Sequence, residues 1–233
     1  DTYDYNQNFP DNLIELHDPY ILRDVRGQVV QFNPFQYNPI LKTLDVIHEI
    51  IIEIKFEGNN MINEKKSKYS ESTTTTIDYD QIYSSHFLNY QSYQSRYTPI
   101  PEDGEMLVIC YDNFVSAMQP LVDWKNQKGL KTTIVPKSTA GSSATSIKNY
   151  ITNFYNSHNL AYVMLVGDKS QIPTFSSGSG WSSGESDISY GYMSGNDSYP
   201  EFFVGRVSAE NTSHVNTQVE RTIEYERDPQ VNA

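Results

Sequence analysis

Cysteine is nearly absent from this chain: Cys110 is the single one in 233 residues. No internal disulfide can form, and no Cys-based zinc site can be assembled. Long apolar runs are missing too. The apolar patch around Ile50-Ile51-Ile52-Glu53-Ile54 is strand-sized, and no apolar run approaches the ~20 residues that span a bilayer. Positive charge is scarce. Lys and Arg total 17 against 29 Asp and Glu, a formal net charge of −12. Residues 1–96 hold 8 basic and 14 acidic residues, and residues 97–233 hold 9 and 15. Both parts stand at −6, so neither is a charged tail. Nucleic acids and anionic membranes need a positive footprint, so neither is an expected partner. The chain starts at Asp1 with no basic-then-apolar leader, which reads as a processed or trimmed product. What is abundant is Tyr, at 18, together with Asn, Ser and Thr. This polar, Cys-poor texture suits a protein secreted by a bacterium or held at its surface.

The length allows one large domain or two small ones. Residues 1–60 read as β. Gly27 to Phe32 is a short, partly alternating run, and Pro34-Phe35-Gln36-Tyr37-Asn38-Pro39 is a turn-rich break. From Thr43 to Phe56 the residues Leu44, Val46, His48, Ile50, Ile52, Ile54 and Phe56 share one parity, which predicts a half-buried strand. That parity puts His48 on the apolar face, as a core or sheet-edge histidine. Residues 61–96 read as an exposed linker. Glu64 to Thr76 carries Lys65-Lys66-Ser67-Lys68 and a run of four Thr with little apolar content. Tyr79 to Tyr93 interleaves aromatics with polar residues, as a short helix lying on a partner surface would.

Residues 97–233 alternate between strand and helix patterns. Met106 to Cys110, Lys131 to Pro136, Tyr162 to Val166 and Phe202 to Val207 read as strands, and continuous apolar runs among them point to buried parallel pairing. Phe114 to Gln127, Ser143 to Ser157 and Ser213 to Arg227 carry helical stripes, with Gly129 as a C-cap after the first. Strand–helix–strand order predicts a parallel sheet covered on its faces.

No catalytic set emerges from residue types alone. Cys110 lies inside an apolar strand, where a thiol behaves as a small hydrophobe. The five histidines share no metal spacing. Gly180-Trp181-Ser182-Ser183-Gly184 fits the nucleophile-elbow expression, but it lies in a Ser/Gly-rich loop rather than between a strand and a helix. Asp168 ends a buried strand, where α/β sheets place functional groups, and it equally suits capping the next turn. Asp197 and Glu201 are close carboxylates in the loop Ser194-Gly195-Asn196-Asp197-Ser198-Tyr199-Pro200-Glu201. They fit either a solvated turn or a site for Ca²⁺, which takes hard oxygen ligands.

Longer motifs do carry a resemblance. Leu121-Val122-Asp123-Trp124-Lys125-Asn126-Gln127-Lys128-Gly129-Leu130-Lys131-Thr132 and Tyr162-Val163-Met164-Leu165-Val166-Gly167-Asp168 resemble the strand–helix–strand framework of gingipain-type cysteine peptidases, peptidase family C25. Ser186-Asp187, Tyr190-Gly191, Gly195-Asn196-Asp197, Gly205-Arg206 and Arg221-Thr222-Ile223 are similar to further blocks of that family. Asn33 to Pro39 resembles its propeptide, and Arg96-Tyr97-Thr98-Pro99 resembles the junction cut to release the mature enzyme.

The resemblance implies an α/β, caspase-like N-terminal subdomain, a three-layer αβα sandwich over 97–233, preceded by a β-rich prodomain segment. It implies a zymogen fragment of a secreted endopeptidase, with protein or peptide substrates cut after Arg or another basic residue. The catalytic Cys and His would lie downstream, in a second subdomain that is this segment's partner. A non-catalytic homologue with a binding or secretion-associated role is the alternative. The resemblance also implies a structural Ca²⁺ held by Asp197 and Glu201 with the carbonyls of Ser194 and Tyr199. An inhibitory prodomain needs a residue that fills the specificity pocket. Arg23 and Arg26 are the candidates, unless they are sheet-edge arginines paired with Asp24 or Asp18.

Overall fold

The computed structural model describes residues 4, 6–55, 61–64, 77–90, 104–178 and 183–229. The chain divides into two compact units. The first comprises residues 1–65 with 195–197, and the second comprises 66–194 with 198–233.

The first unit is built from short antiparallel pairs. Strand β1 (Ile14–Leu16) pairs with β4 (Val30–Phe32), β2 (Tyr20–Leu22) with β3 (Val25–Gly27), and β5 (Phe35–Asn38) with β6 (Thr43–Val46). The β2–β3 hairpin closes through Arg23-Asp24, with Arg23 at φ +48°. The run from Gly27 to Phe32 is therefore two strands, not one. The long alternating strand expected from Thr43 to Phe56 stops at Val46. Its partner explains the stop. Val46 lies opposite Phe35, so the next partner would be Pro34, which has no N–H to donate. His48 lies beyond the strand and is exposed, not set in a core or at a sheet edge. The apolar face that the alternation predicts is also uncovered: Leu44 is 57% exposed and Ile54 56%.

The second unit opens with α1 (Ile77–His86). Tyr79 and Tyr83, one turn apart, are 3% and 1% exposed, so this part of the 61–96 segment is packed rather than an exposed linker. The sheet follows. Strands β7 (Glu105–Cys110), β8 (Lys131–Pro136), β9 (Leu160–Val166) and β12 (Phe203–Val207) are all parallel, in the order β12-β9-β7-β8. Helix α2 (Val115–Gln127) links β7 to β8. Gly129, at φ +98°, turns the chain out of it. A short α3 (Lys137–Ala140) and then α4 (Ala144–Tyr155) link β8 to β9. The Ser143 and Ser146 side chains cap α4 reciprocally. A hairpin of β10 (Phe175–Ser177) and β11 (Gly184–Ser186) occupies the Ser/Gly-rich stretch read as loop. Helix α5 (Thr212–Arg227) closes the unit, and the Asn211 side chain accepts the His214 N–H at its start.

Both sheet faces are covered, as an αβα sandwich requires. Leu107, Ile109, Val163 and Leu165 pack with Ile147 and Ile151 of α4. Met106, Val108 and Cys110 pack with Met118, Leu121 and Val122 of α2 and Val215 and Val219 of α5. Each such buried aliphatic side chain contributes roughly 1.5–3 kcal/mol by leaving water.

Candidate functional site

The parallel strands end together, and the ends are tied by one guanidinium. Arg206, near the end of β12, donates through Nε and Nη2 to Asp187 at 2.7 and 2.6 Å. Its Nη1 donates to the carbonyls of Gly167 and Ile172 at 2.8 and 3.0 Å. The fork of donors thus joins β12, the end of β9, the turn after it and the segment following β11. Asp168 serves this turn through its backbone: its carbonyl accepts N–H from Gln171 and Ile172 at 2.9 and 2.8 Å. Its carboxylate lies 3.5 Å from the Ser208 hydroxyl. Beyond β7, Asp112 accepts from the backbone N–H and hydroxyl of Ser138, and these bonds hold its carboxyl below the usual range.

Cys110 is fully buried. Burial, with a smaller push from Asp112, raises its thiol to about 12, so it is not a thiolate near neutral pH. Four of the five histidines make stacking, hydrogen-bond or capping contacts. His158 stacks on Phe154 with ring centroids 3.8 Å apart, and the ring of His86 meets those of Phe87 and Tyr199. His17 hydrogen-bonds Gln31, and the backbone N–H of His214 is capped by Asn211. Gly180, Trp181 and Ser182 of the elbow-like motif lie outside the described residues.

Within the second unit, Glu201 is fully buried. Its Oε2 accepts the Met193 N–H at 2.7 Å, and its own N–H donates to Gly191. Lys148 of α4 donates to the Ser189 carbonyl at 2.7 Å and lies near the rings of Phe175 and Tyr192. Desolvation lowers the Lys148 pKa, and the charge of Glu201 pulls it back. Within the first unit, Asp197 Oδ2 accepts the Ile21 N–H at 2.8 Å, and Asn196 N–H donates to Asn63 Oδ1 at 3.0 Å. Among the described residues no group of three or more His, Cys, Asp or Glu side chains is gathered as a metal centre. The structure separates the two candidate latency arginines. Arg23 is buried, with its Nε 3.2 Å from Asp24, whereas Arg26 is exposed and donates to the Ile62 carbonyl at 2.8 Å. Arg96 and Tyr97 lie outside the described residues.

A family model described as Peptidase family C25 matches residues 100–233, and the C25 propeptide model matches residues 1–96. The chain belongs to peptidase family C25. Gingipain R2 of Porphyromonas gingivalis is 39% identical over 97% of this C25 chain. Lys-gingipain of the same species is 27% identical over 88% of it. The chain spans only 30% of the length of Gingipain R2 and 12% of Lys-gingipain. A solved structure described simply as that of a protease shares the fold, at 24% identity and a TM-score of 0.52, covering 65% of this chain and 32% of that one. In C25 terms, α1 is a propeptide helix packed within the peptidase unit. In the sequence Asp187 and Arg206 stand only as letters of family-like motifs, with no role of their own, and Lys148 belongs to no motif. The signal for the first pair was present, since a lone Arg and a lone Asp inside otherwise uncharged blocks need partners when a sheet end buries them.

Proposed function

We propose that this chain is the zymogen portion of a gingipain-like cysteine endopeptidase. Residues 1–96 act as the inhibitory propeptide, and residues 97–233 form the N-terminal subdomain of the peptidase. The observation that carries the reading is the change from propeptide match to peptidase match between residues 96 and 100, at Arg96-Tyr97. The catalytic thiolate and histidine belong to sequence following residue 233. The buried, high-pKa Cys110 supports this, because a nucleophile must ionise and reach its substrate. Arg96 at the junction, with higher identity to Gingipain R2 than to Lys-gingipain, supports cleavage of protein substrates after Arg. The Cys-poor, Tyr-rich composition supports secretion or display at the bacterial surface.

Arg26 is the better latency candidate, because it is exposed while Arg23 is committed to a turn. For Ca²⁺, the donor chemistry of the 194–201 loop fits a hard cation: carboxylates of Asp197 and Glu201, carbonyls of Ser194 and Tyr199. When bound, the cation would supply positive charge that orders the loop. Glu201 is already oriented by the Met193 N–H.

The zymogen reading is tested by expressing the full-length precursor and sequencing the mature N-terminus by mass spectrometry. A mature chain beginning at Tyr97, with peptide-hydrolysing activity that appears on cleavage, is the expected result. Activity present before any cut, or maturation at a distant bond, overturns it.

A further inference from the structure

We infer that the trough between α1 and the adjoining face of β12 is a binding site for an arginine side chain presented on a peptide. The site goes beyond the zymogen reading and does not depend on it, since the trough exists wherever α1 is packed on the sheet. In α1 the residues Asp78, Gln81, Ile82 and Ser85 recur at i, i+3, i+4 and i+7, so they share one helix face. Tyr79 and Tyr83, on the neighbouring face, are buried and anchor the helix. The Tyr79 ring lies 4.9 Å from that of Phe203. The Asp78 face is left beside the sheet, and with Tyr162 and Phe203 it lines a cavity of about 460 Å³.

The floor is aromatic. Tyr162 of β9 and Phe203 of β12 are opposite each other in the parallel register, with ring centroids 5.5 Å apart and planes 14° apart. Phe203 is 37% exposed, although it stands in a strand of the central sheet. An exposed aromatic floor rimmed by polar groups marks an interaction site. Two residues on, Gly205 faces the same side of β12, and a Cβ there would meet nothing within 4 Å. The trough therefore continues along the strand, with room for a peptide backbone beside the rings.

The wall supplies charge. The Tyr162 hydroxyl donates to Asp78 Oδ2 at 2.7 Å and so holds the carboxylate at the edge of the ring pair. The Ser85 hydroxyl turns back onto the Ile82 carbonyl at 2.9 Å, which leaves Asp78 and Gln81 as the polar contacts for an entrant. Among the described residues no Lys or Arg lines the cavity. A guanidinium satisfies both features, because its plane stacks on aromatic faces and its forked N–H donors pair with a carboxylate. An ammonium has the charge without the plane. An apolar side chain would desolvate the carboxylate without pairing it.

The full-length precursor is titrated with acetyl-Gly-Arg-Gly-amide, N-methylated at the bond after Arg so that it resists cleavage. The comparison is the same peptide carrying citrulline, an uncharged isostere. Hydrogen exchange read by mass spectrometry follows residues 77–86 and 203–207. A trough open to water predicts a Kd in the millimolar range. At about four times Kd the Arg peptide slows exchange in α1 by about fivefold, because only the packed helix binds it. The citrulline peptide at the same concentration leaves exchange unchanged. Asp78→Asn weakens the Arg peptide by at least about tenfold, and Phe203→Ala by about threefold. Equal protection by the citrulline peptide, protection by neither, or full protection in Asp78→Asn overturns the inference. Protection confined to sequence after residue 233 also overturns it, because the peptide then occupies another site of the precursor. The comparison of the two peptides uses unaltered protein, so it decides the matter even where a variant misfolds. Failure of the zymogen reading registers separately, in the mass spectrum of the mature N-terminus.

Discussion

Replacing Arg206 with Ala tests the account of the sheet end most directly. The guanidinium makes four hydrogen bonds between 2.6 and 3.0 Å, two to Asp187 and two to carbonyls. Its side chain is 12% exposed and that of Asp187 is 26% exposed. Breaking a fully buried pair by removing one partner costs about 3–5 kcal/mol. Here water reaches part of the stranded carboxylate, so about 2–4 kcal/mol is expected. That is a large share of the roughly 5–15 kcal/mol that holds a domain together. For a unit of this size it lowers Tm by roughly 5–12 °C. Arg206→Lys keeps the charge but cannot present the fork, so it recovers less than half of the loss. Urea unfolding of Arg206→Ala, Asp187→Asn and the double variant gives a coupling energy, expected above about 1 kcal/mol. A single-variant loss below about 0.5 kcal/mol, or simple additivity in the cycle, would show that solvent already does the work assigned to this pair.

Four further outcomes follow from the same geometry. Cys110 should resist thiol reagents at pH 8 in the folded chain and react once urea unfolds it, because burial holds its pKa near 12; Cys110→Ala in the full-length enzyme should leave kcat/KM within about twofold, and a complete loss would make it the nucleophile. Desolvation pushes the Glu226 carboxyl up, but hydrogen bonds from Lys125, Lys128 and Trp124 outweigh it and leave the pKa below its ordinary 4.5. Its stabilising effect is therefore complete above 4.5 and lost as pH falls through the lower folded value, so Glu226→Gln should flatten the acid limb of a stability profile; parallel limbs for both proteins would refute this. In the uncut precursor, Arg26→Ala should raise residual activity at least tenfold and Arg23→Ala should not, and unchanged latency in both would remove the pocket-filling role. In the full-length protein, Ca²⁺ at about 100 times its Kd should stabilise by roughly 2.7 kcal/mol, an effect that Glu201→Gln abolishes; an unfolding curve indifferent to Ca²⁺ and chelator would remove the cation from the loop.

The parallel sheet was legible because burial on both faces leaves a plain mark. Leu107, Val108, Ile109 and Cys110 are apolar in unbroken succession, and the helices beside them show Ile147 and Ile151, or Val215 and Val219, one turn apart. The β-rich segment was less legible, since alternation states which face is apolar but not what covers it or how far a partner strand extends. Pro34 ended the β5–β6 ladder from the partner's side, which a reading of Thr43 to Phe56 alone could not reveal. The β10–β11 hairpin was missed for the opposite reason. Its strands are three residues each and rich in Ser and Gly, so their pairing has almost no local signature.

At the candidate site, the motif letters were easier to read than their work. Gly191 and Gly205 both sit in blocks that carry the C25 resemblance, yet space constrains only one of them. A Cβ on Gly191 would lie 2.9 Å from the Cβ of Pro200, so the close approach of these two backbones requires glycine. Nothing lies within 4 Å of a Cβ on Gly205, so in Gly205-Arg206 the constraint rests on the arginine. Asp187, Arg206, Gly191 and Glu201 then divide between the two ends of β12: Arg206 and Asp187 fix turns at the carboxyl ends of the strands, and Gly191 and Glu201 fix the segment that enters β12 at its amino end. Such turns need to be held rigidly, because a side chain can be positioned no better than the backbone beneath it. The motifs that identify this chain are therefore those of the scaffold. That is why they could reveal the family without naming a nucleophile.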